Sequence, residues 1–246
     1  MNICVIGLGE IGAEVYGELN KQANFVYGVD INKQQAIKVA GNNTWDKVQK
    51  ADVYIICAYL TEQVLDIVKD IKKVDEKPFI IIEATIKRGT AKEILNVDLV
   101  LFPHRFNPGD PVHHVFNLDR IYACNSNITD EKFLDFIVDY MDTNLLHKTT
   151  MEIAEIAKPI ENAIRFVEIA LAEDLKMACE KADINFNELR RAVNTKWNID
   201  VKEARDGVGG KCLPKDTRIT LEFLKSEIMH TAEQVNIEYM IKETEK

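Results

Sequence analysis

Asn2-Ile3-Cys4-Val5-Ile6-Gly7-Leu8-Gly9-Glu10-Ile11-Gly12 is the stretch whose reading decides the fold. The apolar run after Asn2 suits a strand covered on both faces. A G-x-G-x-x-G turn follows at once, and helical spacing begins at Glu10. In that context the glycines make a tight turn, let backbone approach a pyrophosphate, and set it on the positive end of a helix. Asp30 lies 18 residues beyond Gly12 and closes a second β-rich run. A carboxylate there accepts hydrogen bonds from an adenosine ribose and repels a 2′-phosphate. The expected cofactor is NAD rather than NADP, held by Gly7, Gly9, Glu10, Ile11, Gly12 and Asp30. The alternative is a glycine turn that serves only helix-to-sheet packing, with Asp30 an ordinary loop residue.

Outward from this stretch, short β-rich runs alternate with helical ones as far as residue 148, the rhythm of a parallel sheet with crossover helices. Strands are expected at Asn2–Ile6, Phe25–Asp30, Val53–Ala58, Phe79–Glu83, Leu99–Phe102, Arg120–Cys124 and Leu145–Lys148, and helices near 10–21, 33–40, 61–73, 90–95 and 129–141. From Thr149 the spacing is helical alone: Ile153, Ile156, Ile160, Ile164, Val167 and Leu171 recur at steps of three and four. Thr149 and Glu152 read as a capping box. A helix running from there to about Lys181 is about 45 Å long, with a kink expected one turn before Pro159. A further helix at Phe186–Asn194, a Gly- and Lys-rich loop over 196–213 and a closing helix complete the pattern. The expected architecture is α/β: a Rossmann-like, doubly wound parallel sheet over 1–148, then an all-helical domain over 149–246 built on the long helix.

The 246 residues carry 31 Lys plus Arg against 40 Asp plus Glu, a net charge of −9. Polyanion affinity comes from clustered Lys and Arg, so nucleic acid is not an expected partner. No apolar run reaches the roughly 18 residues a membrane span needs. The five cysteines form no C-x-x-C pair, which points to a reducing compartment. The first strand follows Met1 directly and leaves no room for a targeting segment. A cytoplasmic location is expected.

Gly207-Val208-Gly209-Gly210-Lys211-Cys212-Leu213-Pro214-Lys215-Asp216 is the most informative stretch of the second half. Its glycines let backbone approach a ligand, and Pro214 near a helix start sets Cys212 by the positive helix end. That end, with Lys211 and Lys215, favours a thiolate. Between residues 190 and 218 eight Lys or Arg face four acids, so the segment is +4, which would draw an anionic substrate. The alternative is a buried structural cysteine beside a solvated basic loop. On a helical wheel with Ile160 at zero, Lys158 and Asn162 fall at about 160° and 200°, opposite the apolar stripe. The plain reading of that face is solvent exposure.

The G-x-G-G-x-C-x-P-K-D run, the segment Ala154-Glu155-Ile156-Ala157-Lys158 with Asn162, and the amino-terminal glycine turn together resemble the nucleotide-sugar (UDP-glucose type) 6-dehydrogenase family. Phe102-Pro103-His104-Arg105-Phe106-Asn107-Pro108-Gly109 resembles its P-E-R-x-x-P-G segment. The family oxidises a primary alcohol twice, to a carboxylate, reducing two NAD. The resemblance implies that Cys212 traps the aldehyde as a thiohemiacetal, that Lys158 and Asn162 hold the reacting oxygen and a water, and that Asp216 orients Lys158 or that water. It implies that Thr85 positions water or cofactor, that Lys215 serves the cofactor, and that His104, Arg105, Asn107, Gly209 and Gly210 contact substrate. A homodimer through the long helix is also implied, its apolar stripe packing a partner helix.

Departures from the family accompany the likeness. His104 stands where the family has Glu, Arg88 replaces a small or proline residue before Gly89-Thr90, and only 34 residues follow Cys212. A short form without the family's third, nucleotide-binding domain is therefore expected. His104, His113, His114 and Asp110 lack the spacing of known ligand sets, and no metal is expected. Three readings stand: a double-oxidation NAD dehydrogenase acting on a sugar derivative or other small anionic alcohol, nucleotide sugars among them; a two-electron dehydrogenase or reductase of the wider Rossmann-plus-helical-dimer superfamily; and a non-catalytic NAD-binding dimer or subunit.

Overall fold

The computed structural model describes residues 1–22, 25–107, 110 and 112–245. Two compact units, Met1–Lys158 and Pro159–Lys246, make up the chain.

The first unit is a seven-stranded sheet in the order β2-β1-β3-β4-β5-β6-β7. Its strands are β1 (Ile3–Ile6), β2 (Val26–Val29), β3 (Val53–Ile56), β4 (Phe79–Ile82), β5 (Asp98–Leu101), β6 (Arg120–Cys124) and β7 (Leu146–Lys148). The runs Ile-Cys-Val-Ile, Val-Tyr-Ile-Ile and Phe-Ile-Ile-Ile of β1, β3 and β4 are buried at every position. Side chains alternate between faces: Ile3, Val5 and Ile55 join one core, and Cys4, Ile6 and Ile56 join the other. Helices α1 (Glu10–Asn20), α2 (Lys33–Ala40), α3 (Thr61–Val74) and α4 (Asn127–Ile137) connect the strands. Asn32 caps α2 by accepting from Gln34 N and Gln35 N, and Ser126 caps α4 by accepting from Thr129 N.

One pairing departs from the parallel expectation. β5 and β6 are antiparallel, because no helix lies between them among the described residues, and only a crossover element brings a strand back in the same direction. The helix expected near 90–95 is a 3-10 turn, Thr90–Glu93.

Helix α5 runs from Met151 to Lys181 with Pro159 inside it, and the division between the units falls at that proline. Its start differs from the expected capping box. Thr149 N–H still donates to Tyr122 O, so this residue belongs to the sheet ladder. Thr150 caps instead, its Oγ1 accepting from Ile153 N at 3.3 Å. Glu152 is taken up by Arg88, whose Nε donates to it at 2.9 Å.

The second unit holds the rest of α5 with α6 (Phe186–Val193), α7 (Cys212–Phe223) and α8 (Glu227–Thr244). Phe166, Ala170, Val208 and Ala232 form one small core, and Ala172, Cys179 and Phe186 another. Along α5 the polarity runs against the wheel. Asn162 and Glu173 are buried, whereas Ile164 and Leu171 are about half exposed. Glu173 is fully buried and neither carboxyl oxygen has a hydrogen-bond partner. Burial pushes its pKa up from 4.5 to about 7, against the pull of Lys176.

Candidate active site

In the first unit the glycine turn sits where β1 hands over to α1. Gly12 is the tightest point: a Cβ there would lie 1.8 Å from Gly7 O, so only glycine lets the helix seat against the turn. The turn opens on a cavity of about 850 Å³ lined by Gly7, Gly9, Asp30, Cys57, Gln63 and Asp66 among others. A Cβ on Gly9 would meet nothing within 4 Å, which leaves its backbone open to a ligand. Glu10 and Ile11 form the first turn of α1. Asp30 is bound to the turn itself: its Oδ2 accepts from Leu8 N and its Oδ1 from Asn32 N, at 2.6 and 2.7 Å. An open glycine turn at a helix N-terminus, beside a carboxylate at the end of β2, fits a dinucleotide. Burial, with Glu83 adding to it, pushes the Cys57 thiol well above the usual thiol range although Arg120 opposes, so this cavity-lining cysteine is not a ready nucleophile.

The segment after β5 is organised by a buried ion pair. Arg120, fully buried in β6, donates to Glu83 Oε2 at 2.7 Å and to Oε1 at 3.2 Å, and also to Phe102 O. Its guanidinium lies 3.4 Å from the Phe102 ring centroid. Glu83 O in turn accepts from His104 N at 3.1 Å. Burial raises the Glu83 pKa, and Arg120 opposes that. His104 is half-buried, Arg105 donates to Asp119 O at 3.2 Å, and Asn107 is exposed. Pro108 and Gly109, which complete the expected segment, lie outside the described residues.

Thr85 is half-buried three residues beyond β4. The loop that follows it is fastened by Glu155 of α5, a buried carboxylate that accepts from Gly89 N at 2.7 Å and from Ala91 N at 2.6 Å. Lys158 is half-buried one turn further along the helix.

In the second unit Cys212 is the first residue of α7 and is exposed, which removes the buried-cysteine alternative. Asp216, one turn on, is buried. Its Oδ2 accepts from Asn162 Nδ2 at 2.6 Å. Lys215 Nζ stands 3.3 Å from Oδ1, yet that oxygen has no aligned hydrogen bond, so the ammonium acts there as a counter-charge. Thus Asn162 of α5 and the cysteine helix are joined through one carboxylate. Gly209 and Gly210 border open space: a Cβ on either meets nothing within 4 Å.

The histidines are dispersed. His113 bonds Asp110 at 2.8 Å, and His114 lies 3.5 Å from both Glu14 and Glu18. No group of three or more potential metal ligands occurs among the described residues.

Sequence reasoning missed Glu83, Arg120 and Glu155. A signal existed for the first two, since an arginine inside an apolar strand demands a buried acid, and Glu83 ends another such strand. The α3 residues Gln63 and Asp66 were missed because their face reads as ordinary helix surface.

Residues 152–238 match the model of the UDP-glucose/GDP-mannose dehydrogenase family, central domain. Over these residues the chain is similar to that family's central domain. The chain is 30% identical to the UDP-N-acetyl-D-mannosamine dehydrogenase of Methanocaldococcus jannaschii over 280 aligned positions, covering 95% of this chain and 65% of that one. It therefore spans less than two thirds of that relative's length. Among solved structures, the UDP-D-ManNAc dehydrogenase of Pyrococcus horikoshii superposes with a TM-score of 0.83 at 22% identity, covering 97% of this chain and 69% of the other. The 3-hydroxyisobutyrate dehydrogenase of Mycobacterium tuberculosis shares the fold with a TM-score of 0.73 at 14% identity, covering 97% and 93%. The Rossmann-like sheet followed by a helical domain is the architecture of these neighbours. No described helix is long and apolar enough to cross a membrane.

Proposed function

We propose that this chain is an NAD-dependent oxidoreductase of the nucleotide-sugar dehydrogenase type, oxidising the primary alcohol of a sugar derivative to a carboxylate. The observation that supports the reading is the Asn162–Asp216 bond, which ties Asn162 of α5 to the helix that begins with Cys212. The 1–148 portion serves the cofactor, and 149–246 serves catalysis and a homodimer through α5, whose Ile153, Ile164 and Leu171 stay exposed in the single chain. The substrate is small and anionic; a UDP-N-acetyl sugar is the first choice, on the strength of the named relative. The protein works in the cytoplasm, without metal.

Two NAD molecules, held in turn by Gly7, Gly9, Glu10, Ile11, Gly12 and Asp30, would supply the oxidant, one hydride acceptor for each stage. Lys158 holds and polarises the alcohol oxygen and receives its proton as the aldehyde forms. Cys212 Sγ then adds to the aldehyde carbon, and the carbonyl oxygen takes up a proton to give a thiohemiacetal. Loss of the second hydride and the hydroxyl proton leaves a thioester on Sγ. Water held by Asn162 and Asp216 attacks the thioester carbon, the C–S bond breaks, and carboxylate and free thiol result. Thr85 is assigned to water or cofactor, His104, Arg105, Asn107, Gly209 and Gly210 to the substrate, and Lys215 to the cofactor.

The test is NAD reduction across UDP- and GDP-sugars, sugar phosphates and hydroxy acids, counting NADH per substrate. Two NADH per substrate and an inactive Cys212→Ala variant are expected. One NADH with free aldehyde or ketone released would favour the two-electron reading, for which the likeness to a hydroxy-acid dehydrogenase fold speaks. Full activity of Cys212→Ala would sink the proposed chemistry.

A further inference from the structure

Between α6 and α7 the chain runs without helix or strand from Asn194 to Lys211, and its two ends are held by different elements. At the α6 end, Val201 N donates to Asn194 Oδ1 at 2.8 Å, and Val201 O accepts from Arg190 Nε at 2.8 Å and Asn194 Nδ2 at 3.0 Å. At the cysteine end the holding side chains come from α8. The Tyr239 hydroxyl donates to Arg205 O at 2.6 Å, and Val208 N donates to Asn236 Oδ1 at 2.7 Å. Both α8 residues are buried, Tyr239 completely, and they lie three apart on one face of the helix. Tyr239 is itself seated by Lys176 of α5, whose Nζ donates to its oxygen at 2.6 Å and pairs with Glu243 at 3.3 Å.

Gly207 lies between the two anchor points with φ +95°, and a Cβ there would stand 2.4 Å from Met240 Cγ and 3.3 Å from Asn236 Oδ1. The segment therefore lies flat on α8 through Val208 and turns into open space at Gly209 and Gly210. Cys212 follows four residues after the last anchor. With the backbone free at the two glycines, the place of the Sγ atom is set by where α8 holds Val208 and by where α7 begins. A reacting atom displaced by about 1 Å loses on the order of 10²-fold in rate.

We propose that Asn236 and Tyr239 are positioning residues for Cys212, with α8 acting as the clamp that fixes the cysteine loop. The proposal rests on the reading of Cys212 as the nucleophile. Two further α8 residues, Met240 and Glu243, complete the clamp by filling the space beside Gly207 and by pairing with Lys176.

The experiment compares Asn236→Leu, Asn236→Asp, Tyr239→Phe and Cys212→Ala in the full chain. Each is assayed on the UDP-sugar that the wild type oxidises fastest, with amide exchange at Val208 followed in parallel. Asn236→Leu and Tyr239→Phe are expected to lower kcat about tenfold and leave KM for NAD unchanged, the size of effect that losing one buried hydrogen bond allows. Asn236→Asp keeps an acceptor oxygen for Val208 N–H and is expected to restore kcat, which a role in packing alone would not produce. Val208 is expected to exchange slowly in the wild type and about tenfold faster in Asn236→Leu. If Cys212→Ala is inactive while Asn236→Leu and Tyr239→Phe turn over like wild type, the clamp is refuted and the nucleophile stands. If Cys212→Ala keeps full turnover, the nucleophile reading falls and the clamp with it. Should the α8 variants not fold, unprotected exchange at Val208 in the wild type overturns the proposal and slow exchange supports it.

Discussion

Replacing Glu173 by Gln should stabilise the protein at pH 8 and leave it unchanged near pH 4. The carboxyl is fully buried on α5 without a hydrogen-bond partner, and burial lifts its pKa from 4.5 to about 7. The folded state thus binds a proton that the unfolded state has already released between those values. The stability this proton contributes is complete below pH 4.5 and is lost as pH rises through 7. At 1.36 kcal/mol per unit, the difference reaches about 3 kcal/mol at pH 8. Gln keeps the shape and carries no charge, so it escapes the loss. Urea unfolding of both proteins at pH 5, 6, 7 and 8, followed by far-UV circular dichroism, measures this directly. The wild type should lose stability across the series relative to Glu173→Gln. Parallel pH dependences for the two proteins, or a variant less stable at pH 8, would refute the reasoning.

Other outcomes follow from the same geometry. Gly12→Ala should abolish NAD binding in calorimetry, since its Cβ would fall 1.8 Å from Gly7 O and must push the turn out of place. Arg120→Met leaves the Glu83 charge buried alone and should cost about 3–5 kcal/mol in chemical unfolding, while the double variant with Glu83→Met should recover much of it. Glu155→Ala strips acceptors from Gly89 N and Ala91 N and should cost about 1–3 kcal/mol, with faster amide exchange at both positions as the readout. Asn162→Ala leaves the buried Asp216 carboxylate with Lys215 as its counter-charge, and should lower the melting temperature as well as NADH formation.

Strands β1, β3 and β4 were legible in the sequence because each is an uninterrupted apolar run buried on both faces. β6 was legible as a strand but not in direction, since that depends on a connection whose lack of a helix is a weak signal. The boundary of α5 moved because two adjacent threonines offer equal caps, and the sheet claims Thr149. The burial of its polar face was not legible for a stronger reason. Periodicity reports which residues are apolar, whereas Asn162 and Glu155 are buried by specific bonds to Asp216 and to the Gly89 and Ala91 amides, and no spacing rule carries that. The glycine turn and the cysteine motif were legible because each needs residues of fixed type at fixed spacing. The α8 contribution to the cysteine loop was not, because Asn236 and Tyr239 read as ordinary helix positions until the loop is laid against them.

In the proposed function the carboxylate of Asp30 has two jobs that usually fall to separate groups. It is the group assigned to nucleotide choice at the end of β2, and it ties Leu8 N–H to Asn32 N–H. Any attempt to re-engineer the chain toward a phosphorylated cofactor by shortening or neutralising this side chain would therefore release the glycine turn and the start of α2 together. On the proposed reading of Asp30, cofactor preference is tied to the folding of the first βαβ unit, and a switch would need a replacement staple before it needed a new charge.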